Sequence, residues 1–133
     1  MRLSAELIAS AEQRSNPLGE REIILRGLAI PAIEHLATTR DLYDAIDLAD
    51  NMIVRLDNFP RLVRLKSLFL SGNMIESIDA SNIAKNVPNI SHLVLTGNRI
   101  AGLHEISNIS KACTNLQSLT MLGNPVTSKS IHL

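Results

Sequence analysis

Apolar residues in this chain recur in blocks of one fixed shape rather than at a steady helical or strand period. Tyr43-x-x-Ile46-x-Leu48-x-x-Asn51-x-Ile53 is the first full block. Leu65-x-x-Leu68-x-Leu70-x-x-Asn73-x-Ile75, Ile90-x-x-Leu93-x-Leu95-x-x-Asn98-x-Ile100 and Leu116-x-x-Leu119-x-Met121-x-x-Asn124-x-Val126 repeat it. The four asparagines are spaced 22, 25 and 26 residues apart. An incomplete block, Ile23-x-Leu25-x-x-Leu28-x-Ile30, precedes them, with Leu28 in the asparagine place 23 residues before Asn51. Alternating apolar positions predict a short strand with one face turned inward. The asparagine marks where the chain turns out of that strand. Gly72, Gly97 and Gly123 stand before three of the asparagines and Asp50 before the other, where a tight turn calls for unusual backbone angles.

Periods of roughly 20–29 residues with this spacing are the mark of leucine-rich repeats. The predicted fold is therefore an α/β leucine-rich-repeat solenoid. It has about five short parallel strands on the concave face, an N-terminal capping helix and a mixed helical and irregular convex side. Each repeat buries its aliphatic face only against its neighbours. An asparagine amide both donates and accepts, so Asn51, Asn73, Asn98 and Asn124 are expected to form a structural ladder between adjacent coils. One domain is expected over residues 1–133, with 1–20 as cap helix and turn and 21–127 as repeats.

The returns between strands differ. Phe59-Pro60-x-Leu62 reads as a short one. Ala80–Val87 carries Ile83, Ala84 and Val87 at helical spacing, with Ser81 as N-cap and Pro88 as stop. Ile106, Ile109 and Cys113 repeat that helical pattern before Leu116. At the start, Ser4 can cap a helix running to about Arg14, with Leu3, Leu7, Ile8 and Ala11 on one face. Asn16-Pro17-Leu18-Gly19 ends it. Only six residues follow Thr127, so the C-terminal cap reads as incomplete, leaving Leu116, Leu119 and Met121 half exposed.

Composition narrows the function. Leu (20), Ile (15) and Asn (11) make up about a third of the 133 residues, while the aromatics are only Tyr43, Phe59 and Phe69. Thirteen basic side chains balance thirteen acidic ones, which argues against a domain that holds nucleic acid mainly by its phosphates. One cysteine, Cys113, excludes an internal disulfide and any multi-cysteine metal site. No secretory signal or membrane-spanning stretch is read, leaving a protein of the cytosol or nucleus.

The outward positions lie six, four and two residues before each asparagine place. They are Glu22, Ile24 and Arg26; Ala45, Asp47 and Ala49; Ser67, Phe69 and Ser71; His92, Val94 and Thr96; Ser118, Thr120 and Leu122. The middle row places Ile24, Phe69 and Val94 in an apolar line flanked by small residues. That is a groove able to take a helix of a protein partner, with Phe69 as central anchor. The expected contact set is Ile24, Arg26, Asp47, Phe69, Ser71, His92, Val94, Thr96, Thr120 and Leu122. Edge loops or the N-terminal helix folding over part of the strip is the competing reading. Asp47 is expected diagonal to Arg26, each able to neutralise the other or to pair with charges on the partner.

Catalysis finds little support. Of His35, His92, His104 and His132, only His92 falls on the concave face, and no nucleophile or carboxylate is placed beside it. Asp44, Asp47 and Asp50 are three apart, but only Asp47 points into the groove. No phosphate loop, metal-binding histidine pair or nucleophile elbow occurs, so no cofactor, metal or small-molecule substrate is expected. Arg55, Arg61, Arg64 and Lys66 cluster in sequence, as a supporting phosphate contact or a solvated face.

Several stretches resemble one family. They are Leu3-x-x-Glu6-Leu7-Ile8, Asn16, Arg21-Glu22, Leu25-Arg26-Gly27 and Ile30-Pro31-x-Ile33-Glu34-x-Leu36. Asp44-Ala45-Ile46-Asp47-x-x-Asp50-Asn51-x-Ile53 and Leu56-Asp57-x-Phe59-Pro60-x-Leu62-x-Arg64-Leu65-Lys66 continue the match, which ends on Asn124-Pro125-Val126-Thr127-x-Lys129. They are similar to the U2 small nuclear ribonucleoprotein A-prime family. That resemblance implies a nuclear, non-catalytic spliceosomal scaffold. Its concave sheet would hold a helix of an RNA-recognition-motif partner of B-double-prime type, and U2 small nuclear RNA would be bound mainly through that partner. A general leucine-rich-repeat adaptor of phosphatase-regulatory or dynein-associated type, with no RNA link, is the alternative.

Overall fold

The computed structural model describes residues 1–127. The elements run α1 (Ala5–Ser10), β1 (Glu12–Ser15), β2 (Arg21–Ile24), a 3-10 turn (Leu36–Thr39), β3 (Ala45–Asp47) and β4 (Arg55–Leu56). Then come β5 (Ser67–Phe69), β6 (Ser77–Ile78), α2 (Ala80–Asn86), β7 (His92–Val94), α3 (Leu103–Ala112) and β8 (Ser118–Thr120). The main sheet has the order β1-β2-β3-β5-β7-β8, and β4 pairs with β6 in a second, two-stranded parallel sheet. From β2 onward the main sheet is parallel, with Ile23, Ile46, Leu68, Leu93 and Leu119 in register on its inner face. The first four of these are fully buried, and Leu119 packs half-buried against the core.

The strands are short, but their pairing continues into the turns. Leu25, Leu48, Leu70 and Leu95 donate to Asp47, Phe69, Val94 and Thr120 of the next coil at 2.8–2.9 Å. Each asparagine then ties its own coil to the one before. The Asn73 amide nitrogen donates to Leu48 O (2.9 Å) and Leu70 O (3.0 Å), while its oxygen accepts from Ile53 N (3.0 Å). Asn98 repeats this with Leu70, Leu95 and Ile75, and Asn124 with Leu95, Met121 and Ile100. Asn51 serves Leu25 and Leu48 and accepts from both Leu28 and Ile30. All four are buried. Since each asparagine serves the coil behind it, the first coil has no neighbour of that kind to serve, and Leu28 fills the place. In the turn before Asn73, Gly72 takes the left-handed conformation with φ of 72°, and a Cβ there would meet the Asp50 carboxylate.

Two elements differ from the sequence expectation. Ser4 does cap α1, its oxygen accepting from Leu7 N at 3.1 Å, but the helix stops at Ser10 instead of reaching Arg14. Residues Glu12–Ser15 have no apolar face to bury in a helix, and all four are exposed. They pair antiparallel with β2 along the open sheet edge, Glu12 opposite Ile24 and Ser15 opposite Arg21. An edge strand's unpaired backbone is a strong template, and it wins over a polar fourth turn of helix. In the convex layer, α2 is capped by Asp79, which accepts from Asn82 N at 3.0 Å, and not by Ser81. Ile83 and Val87 are core while Ala84 is exposed. Leu116, Leu119 and Met121 are half-buried at the last coil. The expectation about the C-terminal cap falls partly on residues 128–133, outside the described residues.

Asn98→Leu removes three buried hydrogen bonds and orphans carbonyls of two coils. At ~1–3 kcal/mol per unsatisfied group, destabilisation of about 2–4 kcal/mol is expected. A thermal melt should fall by several degrees; a Tm within one degree of wild type contradicts the ladder's structural role.

Candidate protein-binding groove

The concave face is half covered. The loop between β1 and β2, residues 16–20, folds back over the sheet. Both Glu20 carboxylate oxygens accept from Ser67 Oγ, at 2.8 and 2.9 Å, 47 residues away in sequence. Beneath the loop, Glu22, Ala45 and Ser67 are completely buried. Glu22 is therefore not the solvent-facing charge its strand position suggests. Arg14 Nε meets it at 2.9 Å, and Asn16 Nδ2 donates to it at 3.1 Å. A buried carboxylate needs such partners, and the hairpin supplies them.

What stays open is a pocket of about 300 Å³ whose lining includes Pro17, Leu18, Asp47, Phe69, Ser71 and Val94. Arg26 also borders it, so five of the ten expected contact residues come together here. His92 lines a second hollow with Lys66, Ser91 and Gln117. Its Nδ1 is buried with no hydrogen-bond partner. Ile24 is half-buried beside β1 and lies outside both hollows. Thr96 continues the same face, and Thr120 and Leu122 are exposed at its far end, Leu122 at 76%.

The expected pairing of Asp47 with Arg26 does not occur. Asp50, in the left-handed turn with φ of 56°, projects to Arg26 and holds it at 3.0 Å. Asp47 is only 7% exposed. Its Oδ1 accepts from Ala49 N at 3.0 Å, and it makes no ion pair among the described residues. The groove floor thus carries a buried carboxylate whose second oxygen is free for a donor arriving from outside. Leu18 and Pro17 are among the lining residues that strand spacing missed. The signal for them was the turn-forming Asn16-Pro17-Leu18-Gly19, which marks a loop but not where it folds.

The chain's likenesses agree with this geometry. A leucine-rich-repeat family model matches residues 1–132. A Caenorhabditis elegans protein named "Probable U2 small nuclear ribonucleoprotein A'" is 46% identical over 97% of this chain and 50% of its own length. The Homo sapiens U2 small nuclear ribonucleoprotein A' is 41% identical over the same shares. A chain of the crystal structure of the Drosophila melanogaster SNF/U2A' complex superposes with a TM-score of 0.92. It is 41% identical, covering 96% of this chain and 72% of that one. The chain belongs to the U2 small nuclear ribonucleoprotein A' family of leucine-rich-repeat proteins. It spans about half the length of the curated relatives it matches. Those relatives are named as ribonucleoprotein components, not as enzymes.

In this A'-family chain the basic residues of the 55–66 stretch do not form one bare patch. Arg55 faces Asp57 at 3.5 Å, Arg61 donates to Lys85 O, and Arg64 meets Asp44 at 3.2 Å. Lys66 alone borders the concave rim, in the hollow that holds His92. Among the described residues no three metal-ligating side chains gather, and no helix is long and apolar enough to cross a membrane.

Asp44 receives the Arg21 N–H at 3.0 Å and the Arg64 guanidinium. The Arg21 bond first, and then Arg64, hold its carboxyl below the usual carboxylate range. A depressed carboxyl stabilises the fold above its unfolded pKa of ~3.9 and loses that contribution as pH falls through the folded value. Asp44→Asn should therefore lower Tm at pH 7, with the gap to wild type closing towards pH 3. A constant gap contradicts this. Burial pushes the Cys113 thiol up to about 11. Iodoacetamide at pH 8 should leave native protein unlabelled and label it quickly in denaturant; rapid native labelling contradicts the burial.

Proposed function

We propose that this chain is a non-catalytic scaffold of the U2 small nuclear ribonucleoprotein in pre-mRNA splicing, acting in the nucleus. Its concave groove receives one helix of an RNA-recognition-motif protein of the SNF or B-double-prime type. U2 small nuclear RNA is then engaged mainly through that partner. The observation that carries this reading is the 0.92 TM-score to a chain of the SNF/U2A' complex.

The groove's chemistry supports it. A helix is about 10–12 Å across with its side chains, and an open apolar strip of Phe69 and Val94 between small residues suits one face of it. Phe69 is half exposed, so an aromatic of large contact area is held in place before any partner arrives. Asp47 adds selectivity. A partner that seals the groove without offering it a donor leaves a buried carboxylate unpaired, which is costly. Balanced net charge fits a protein that serves RNA recognition at second hand. The side chains a helix would meet are Arg26, Asp47, Phe69, Ser71, His92, Val94 and Thr96, with Ile24, Thr120 and Leu122 at the margins.

The test is titration calorimetry with the SNF or B-double-prime protein of the same organism. Wild type should bind it, and Phe69→Glu should weaken binding at least 100-fold while Tm stays within a few degrees. Wild-type affinity in Phe69→Glu removes the groove as the site. Recovery of a phosphatase or a dynein subunit from nuclear and cytosolic extract, with no small nuclear RNA, replaces the splicing role with that of a general adaptor.

A further inference from the structure

We propose that loop 16–20 is a preformed clasp of the partner site, and that Leu18 on its crest is a contact residue for the same helical partner. This rests on the groove reading above and adds a second wall to it. Leu18 is 60% exposed. A single exposed leucine is ordinary on a protein surface; the way this one is held is not. Asn16 Oδ1 accepts from both Leu18 N and Glu20 N at 3.0 Å. Asn16 N donates to Glu20 O at 2.9 Å, and Gly19 N to Asn16 O at 2.8 Å. The far end is latched to the sheet by Glu20 on Ser67, and Asn16, itself buried, also donates to Glu20 Oε1 at 3.0 Å. The five residues 16–20 are thus fixed by polar contacts that hold an apolar side chain out in water.

Position gives that result a use. Leu18 borders the pocket containing Phe69 and Val94 and also the hollow containing Lys66 and His92. It is the ridge between them. A helix lying on Phe69 and Val94 has Leu18 at its flank, and groups reaching over the ridge enter the hollow lined by Lys66 and His92. Ordering a loop before binding spares that entropy at association. The clasp should therefore act mainly on the lifetime of the complex.

Four variants test this by calorimetry and surface-plasmon kinetics against the SNF or B-double-prime protein of the same organism. Leu18→Ala should weaken binding about tenfold with Tm unchanged, and Leu18→Met should bind as wild type. Glu20→Gln should leave Leu18 present but raise the dissociation rate several-fold. Phe69→Glu reports on the groove itself. If Phe69→Glu abolishes binding while Leu18→Ala and Glu20→Gln match wild type in affinity and dissociation rate, the groove stands and the clasp is wrong. If Phe69→Glu, Leu18→Ala and Glu20→Gln all bind as wild type, the groove reading fails and takes the clasp with it.

Discussion

The structure depends on one recurring bond set, the buried asparagine amide that joins each coil to the one behind. A solenoid coil turns sharply out of a three-residue strand, and the turn would bury backbone groups with no strand partner. Asn51, Asn73, Asn98 and Asn124 each answer that with two donors and an acceptor in one short side chain. No apolar residue can do this, which is why asparagine is so abundant in a chain otherwise built of leucine and isoleucine. The direction of the bonds explains the exception at Leu28, where no repeat coil precedes. The aliphatic core supplies most of the burial, but the ladder fixes the register in which that core stacks.

A sheet held from within leaves its outer face free for other work. Here the N-terminal segment takes part of that freedom back. The β1–β2 hairpin satisfies the open edge of the sheet, buries Glu22 with Arg14 and Asn16, and lays its loop across to Ser67. The concave surface is thereby reduced from three rows to a strip along Phe69, Ser71, Val94 and Thr96, with Asp47 at its covered end. The N-terminal segment is both a cap and a wall, and the site depends on it as much as on the repeats.

The repeats were legible in sequence because their physics is local and recurs: the same strand, turn and amide four times over. What was hidden depended on long-range partners. Glu12–Ser15 carries no period of its own and becomes a strand only because β2 offers an edge. Asp47 and Glu22 look exposed from strand alternation, yet Arg14 and Asn16 of the hairpin close on Glu22, and Asp47 turns its carboxylate back to Ala49 N. Arg26 turns to Asp50 because a left-handed turn, not the strand, aims that carboxylate. Asp79 rather than Ser81 caps α2 because the helix begins two residues earlier than a Ser81 cap would start it. For Leu18 the pattern marked only a turn; its meaning comes from the loop being fastened across 47 residues of sequence.

Hydrogen–deuterium exchange of this chain, free and bound to the SNF or B-double-prime protein, tests the central claim most directly. The prediction is new protection in peptides covering 16–20, 67–71 and 92–96, with the convex helices 80–86 and 103–112 unchanged. Protection confined to the convex helices, with the concave strands exchanging as in the free chain, would contradict a groove-bound partner.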